Sequence, residues 1–180
     1  MSQNITGKSL MQEVLHFYPG AQRALFRKYH IGGCNSCGFR PDETLASVCS
    51  RNGSLPIEDV LKKIQQSHDE DKQILIEPTD LAKRLAEGED IKLVDIRSRG
   101  EFEAVHIDGS IMLTQPLMQE ILGTWDNNQR FVMIDHQGKK GLDAAAYYLG
   151  HGMPNANALR GGIDAWSIEV DSSIRRYTLS

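Results

Sequence analysis

Apolar positions along the chain change their spacing near residue 70. Before that point they recur every three or four residues. Met11, Val14, Leu15 and Tyr18 stand at i, i+3, i+4 and i+7, one face of a helix. Ser9 and Gln12 are spaced as its capping box, and Pro19-Gly20 ends it. A second helix is predicted over 21–29, with Ala21, Leu25 and Tyr29 on one side. Pro41, Asp42 and Glu43 open a third, because proline and acidic residues suit a first turn. Its apolar face is Leu45, Val48 and Cys49, and Asn52-Gly53 closes it. Pro56, Glu58 and Asp59 open a fourth, with Ile57, Val60, Leu61 and Ile64 at helical spacing. The polar run 67–73, SHDEDKQ, reads as a linker. This divides the chain into a helical domain at 1–68, a linker at 69–73 and a second domain at 74–180.

Beyond the linker, short runs of Ile, Leu and Val alternate with helical segments. Strands are predicted at 74–76, 91–96, 111–113, 131–134 and 156–159, and helices at 79–87 and 142–149. That alternation implies an α/β domain: a parallel sheet covered by helices on both faces. The fold class is therefore a parallel α/β sheet preceded by a small all-α domain.

Charge and composition narrow the function. Residues 1–70 carry eight Lys/Arg and seven Asp/Glu, and the remainder twelve and seventeen. Neither part is a basic patch, so nucleic acid is not an expected partner. No apolar run approaches the roughly 20 residues of a membrane span, so no membrane is expected. The polar start MSQNITGKSL lacks the core of a secretory signal, and a cytoplasmic location follows. Three cysteines make no disulfide framework. Two of them, Cys34 and Cys37, are separated by two residues in a glycine-rich loop, a spacing suited to redox or metal chemistry.

In an open parallel sheet, ligands bind beyond the carboxyl ends of the strands. Asp95 and Arg97 lie past one predicted strand. The loop MIDHQGKKG (133–141) lies past another. Gly138 and Gly141 let its N–H groups converge, and the following helix adds its positive end. The stretch LVDIRSRGEFEAVHIDGSIML (93–113) resembles the first signature of rhodanese-family sulfurtransferase domains through Asp95, Arg97, Glu101, Phe102, His106, Ile107 and Gly109. Val105 and Ser110 stand where the family usually has Gly and Ala. LRGGIDAW (159–166) resembles the family's closing segment through Gly161, Gly162 and Trp166. The resemblance covers about residues 75–180.

The resemblance also implies a catalytic loop that begins with cysteine and has arginine five residues later. Asp135 and Lys140 hold those places here. Sulfur transfer needs a thiolate that carries the sulfur as a persulfide, which a carboxylate cannot do. Aspartate can be a nucleophile in phosphoryl transfer, but no partner motif or metal-ligand set accompanies it. The loop N–H groups and Lys140 are expected to bind the Asp135 carboxylate, so no thiosulfate sulfurtransferase activity is expected there. Asp95, Arg97 and His106 are expected to hold loops together. His136 and Lys139 remain candidates for a ligand or partner contact, against the plainer reading of a solvated loop tip.

VLHFYPGAQRALFRKYHIGGCNSCG (14–38) resembles a second family, the hybrid-cluster-protein-associated redox disulfide domain, through Tyr18, Pro19, Phe26, Ile31, Gly32, Cys34 and Cys37. It is also similar to the N-terminal domain of di-iron iron–sulfur repair proteins. Cys34 and Cys37 can close a disulfide, or one can resolve a persulfide carried by the other. The rival is zinc or an iron–sulfur cluster. Structural zinc wants four ligands, which Cys34, Cys37, Cys49 and His30 would supply within one chain, or two pairs across a homodimer. Cys49 reads more simply as a buried small hydrophobe, and His30 as a cap. The sequence thus points to a redox or sulfur-handling accessory protein with no cofactor. Cys34 and Cys37 would react, and the rhodanese-like part would dock a protein partner in redox or sulfur transfer. A non-catalytic binding module, whose cleft around Asp95, Arg97, His136 and Lys140 reads a ligand or protein, is the remaining alternative.

Overall fold

The computed structural model of the chain describes residues 5–32 and 38–178, which form two compact units, Met1–Lys72 and Gln73–Ser180. Cys34 and Cys37 lie outside the described residues.

The first unit holds α1 (Met11–Phe17), α2 (Ala21–Tyr29), α3 (Leu45–Arg51) and most of α4 (Ile57–Ile74). Met11, Val14, Leu25, Ile31, Leu45, Val48, Cys49, Val60 and Ile64 are buried together, so the helical periodicity does mark the core. Three local expectations are corrected. The α1 box is made by Glu13, whose carboxylate accepts from the Leu10 N–H at 2.9 Å, and Ser9 Oγ accepts from Thr6 N instead. α3 starts at Leu45, not at Pro41, with Thr44 as its cap. Glu43 is drawn away to Arg51 at 2.8 Å. Residues 67–73 are not a linker: α4 runs through them to Ile74. Side chains spaced three or four apart bridge along it, Gln65 and Lys72 to Asp69 and Gln66 to Glu70. Ser67 and Asp71 are buried, and Asp71 pairs with Arg23 of α2. The run is polar because it is helical with one face turned to a polar partner.

The second unit alternates β1 (Leu75–Ile76), α5 (Pro78–Ala86), β2 (Ile91–Asp95), α6 (Arg99–Ala104), β3 (Ser110–Met112), α7 (Gln115–Gly123), β4 (Arg130–Ile134), α8 (Lys139–Gly150), β5 (Ala156–Leu159) and α9 (Gly162–Glu169). The five strands form one parallel sheet in the order β1-β5-β4-β2-β3. Neighbouring residues face opposite ways, as the period of two requires. Leu93, Val132 and Ile134 pack with Leu81, Ile163 and Trp166 on one side. Val94, Phe131 and Met133 pack with Ile121, Leu142 and Tyr148 on the other. The expected α/β fold is therefore present. The sequence reading did not specify α6, α7 or α9.

β2 connects outward to β3 and β4 connects the other way to β5, although β2 and β4 are neighbours. That reversal opens a crevice at their carboxyl ends. Asp95 and Ile134, the last residues of the two strands, are partners in register.

Candidate functional site

Two loops meet at this crevice. At the end of β2, Asp95 and Arg97 form an ion pair whose side chains are 0% and 2% exposed. Arg97 Nη2 donates to Asp95 Oδ2 at 2.6 Å and Nε to Oδ1 at 2.9 Å, a two-pronged fit that only guanidinium makes. The Arg97 backbone N–H donates to Oδ1 as well, at 3.0 Å. The remaining guanidinium donors reach the Val105 carbonyl at 2.7 Å and the Tyr177 hydroxyl at 3.0 Å. Burial works against the charge on Arg97, but its bonds to Asp95 and Tyr177 outweigh that and hold it more firmly protonated. Asp95 and Arg97 thus tie β2, α6 and the segment after α9 together.

The second loop carries Asp135, which is buried. Its Oδ1 accepts the Gly138 N–H at 2.6 Å and its Oδ2 the Lys140 N–H at 2.9 Å. Gly138 turns the chain with φ of +85° into α8, where a side chain would meet the Gly161 backbone. The cradle of N–H groups is occupied by the carboxylate of its own loop. Lys140 takes part through its backbone N–H. Its ammonium, like that of Lys139, is exposed, and neither belongs to an ion pair among the described residues. The Asp135 and His136 carbonyls accept the Ile163 and Asp164 N–H groups at 2.9 and 3.1 Å, so the loop is fastened to the first turn of α9.

His136 does not point freely to solvent. Its ring stacks on Tyr177 with centroids 4.3 Å apart and planes 14° apart, and Nε2 bonds the Tyr177 carbonyl at 2.9 Å. The Tyr177 hydroxyl donates to Glu101 Oε1 at 2.7 Å. His106 is set away from this network, stacked on Phe102 and bonded to its carbonyl at 2.8 Å.

Glu101 closes the circuit. Ser98 and Glu101 form a reciprocal capping box on α6. Burial opposes ionisation of Glu101. The Ser98 side chain, the Tyr177 hydroxyl, the Ser98 N–H and nearby Arg97 together overcome it and hold the carboxyl at about 2. A depressed carboxylate contributes stability that is present above its unfolded value, near 4.3, and lost as pH falls toward 2. Glu101→Gln should therefore melt below wild type at pH 7, with the gap closing between pH 4.5 and 2. A gap that is constant with pH would rule out this linkage.

Sequence reasoning missed Tyr177. The only signal was a lone aromatic in a polar stretch after the closing motif. In the other unit, Cys49 is 1% exposed in the core, and burial pushes its thiol up, which suits packing better than metal ligation. His30 caps α2 in the left-handed conformation, φ 56°. Past the cysteine pair, Gly38 is held by Arg51, whose Nη2 donates to its carbonyl at 2.6 Å. No group of three metal-ligating side chains occurs among the described residues, and none of their helices is long and apolar enough to cross a membrane.

The profile of the Rhodanese-like domain family matches residues 77–169. Among curated proteins, the chain is 29% identical over 83 residues to the thiosulfate sulfurtransferase GlpE of Shewanella oneidensis, covering 46% of this chain and 82% of that one. It is 32% identical over 92 residues to a sulfurtransferase of Allochromatium vinosum, covering 51% and 86%. The human single-domain sulfurtransferase TSTD1 aligns in structure with a TM-score of 0.48 and 22% identity, over 53% of this chain and 96% of its own.

Proposed function

The chain belongs to the Rhodanese-like domain family, and from that premise we propose that it handles sulfur through Cys34 and Cys37 rather than through the loop at 135–141. In this reading the rhodanese-like unit is a platform on which a protein partner in redox or sulfur transfer docks. The observation that carries the proposal is the Asp135 carboxylate, which takes the Gly138 and Lys140 N–H groups for itself at the place where the resemblance implies the family's nucleophile. A carboxylate cannot accept sulfane sulfur as a persulfide, and its charge repels thiosulfate.

The chemistry available to the pair is balanced without an added oxidant. One thiolate attacks the outer sulfur of a low-molecular-weight persulfide, and the donor leaves as a thiolate. The second cysteine then attacks the inner sulfur of the new protein persulfide. A disulfide forms and the outer sulfur leaves as hydrosulfide, so two thiols are oxidised and one sulfane sulfur is reduced. A dithiol reductant of the partner class restores the pair.

The test is intact-mass analysis of the full chain after incubation with glutathione persulfide. Wild type should release sulfide and lose two hydrogens as the disulfide closes. C34S and C37S should each stop at, or short of, an added sulfur atom, and the double variant should gain none. Sulfur added to the double variant, and lost again on changing Asp135, would refute the assignment. Asp135→Cys should load one sulfur on the loop peptide, because the N–H groups that hold the carboxylate also suit a persulfide anion. Wild type should load none there. An absorption spectrum and metal analysis of anaerobically purified protein check the rival: bound zinc or an iron–sulfur cluster would replace the disulfide reading.

A further inference from the structure

Residues 174–178 lie beyond the stretch that matches the family, yet they close on its signature residues. Ile174 is buried, and its carbonyl accepts the Ser167 hydroxyl at 2.6 Å, which anchors the segment to α9. From there the chain crosses the crevice. Arg176 pairs with Asp164 at 2.7 Å. Tyr177 is held three ways: its ring by the stack on His136, its carbonyl by His136 Nε2, and its hydroxyl by Arg97 and Glu101. Both loops of the crevice are therefore bound by one residue.

Beyond its buried anchor Ile174, the segment is held at few points. A cleft of about 590 Å³ opens between it and α6, lined by Gly100, Glu101, Ala104 and Val105 on one wall and by 175–178 on the other. Arg175 and Arg176 are exposed. Beyond Ile174 the segment is held by the exposed Arg176–Asp164 pair and by Tyr177, whose ring also packs against the core, so the contacts are few and most of them fall on Tyr177. Local opening of such a segment requires far less free energy than unfolding the sheet beneath it.

We propose that residues 174–178 are a strap closed over the mouth of the crevice, with Tyr177 as its pin, and that a protein docking there must lift it. The inference rests on the docking-platform reading for its purpose, but the strap itself is measurable without any partner. When Tyr177 leaves, the face and Nε2 of His136 are uncovered. The surface offered to a partner is then an imidazole beside exposed Lys139 and Lys140, which suits an acidic side chain of the partner, together with the Glu101 and Asp164 carboxylates that Tyr177 and Arg176 leave, which suit a basic one taking their place.

The experiment uses the full chain and two readouts. Tryptic cleavage after Arg175 and Arg176 follows the open population when opening is fast relative to cutting. Carbethoxylation of His136, mapped by peptide and referenced to exposed His16, follows uncovering of the ring. Y177A removes the stack and both hydroxyl bonds and should raise both rates by about tenfold or more. Y177F keeps the stack and the carbonyl bond and should fall between wild type and Y177A. Amide protection across α8 reports whether the sheet unit stays folded. Unchanged rates in Y177A would overturn the strap, and so would rates that rise only together with loss of α8 protection. Neither readout involves the cysteine pair, so a negative result for Cys34 and Cys37 leaves this result intact, and the reverse also holds.

Discussion

Arg97→Ala is expected to destabilise the Gln73–Ser180 unit by about 3–5 kcal/mol, the range for stranding one member of a buried ion pair. The size follows from what Asp95 would lose. Its carboxylate lies at the end of β2, 0% exposed, and three of its four bonds come from the Arg97 side chain. The fourth comes from the Arg97 backbone N–H. With alanine at 97, a carboxylate stays in the interior with one donor, and the Val105 carbonyl and Tyr177 hydroxyl each lose a partner. Arg97→Lys should recover only a fraction, because a single ammonium cannot reach both carboxylate oxygens, Val105 and Tyr177 at once. Both tryptophans, Trp125 and Trp166, lie in this unit, so urea unfolding followed by tryptophan fluorescence reads its stability without signal from the helical unit. A loss under 1 kcal/mol would show that water enters to solvate Asp95.

Gly162→Ala should be comparably severe for a different reason. Gly162 sits at φ +61°, and a Cβ there would lie 2.4 Å from the Asp135 carbonyl oxygen and 2.6 Å from the His136 carbonyl carbon. The left-handed conformation alone costs a non-glycine residue about 1–2 kcal/mol. Relieving the contact means moving backbone, which breaks the bonds from Ile163 and Asp164 to the loop carbonyls, each worth about 1 kcal/mol net. The total is on the order of 3–4 kcal/mol. Gly88→Ala is the matched control. Gly88 has φ +82° with no atom near its missing Cβ, so it should show the conformational part alone. Equal losses at the two sites would mean the loop yields freely to α9.

These two results bear on function because they separate architecture from chemistry. Arg97 and Gly162 belong to the motifs by which the chain is similar to sulfurtransferases, and both act by holding the crevice in shape. The cradle they support is intact in its backbone, with N–H groups converging as an anion site requires. Its occupant is a carboxylate fixed in the chain, which cannot be loaded with sulfur and passed on.

Much of this molecule was legible in local pattern. The change from a spacing of three or four to short β-branched runs separated the helical unit from the sheet unit, because burial on one helix face or on both sheet faces imposes those periods on neighbouring residues. α2 and β5 fall on their predicted spans. The loop at 135–141 was recognisable from Asp135, Gly138 and Gly141, since a tight strand-to-helix turn needs glycine locally. α6 went unread although Ser98 and Glu101 stand at capping-box spacing. α7 went unread too, although Thr114 caps it and Pro116 stands in its first turn. The helical run at 67–73 was concealed because polarity alone does not separate a solvated linker from a helix whose buried side meets an arginine 48 residues away. Tyr177 was concealed for the same reason on a longer scale. It meets His136 across 41 positions and Arg97 across 80, and a contact made at that separation leaves no trace in the spacing of adjacent residues. Periodicity reports which face of an element is buried, and only the folded chain decides what that face is buried against.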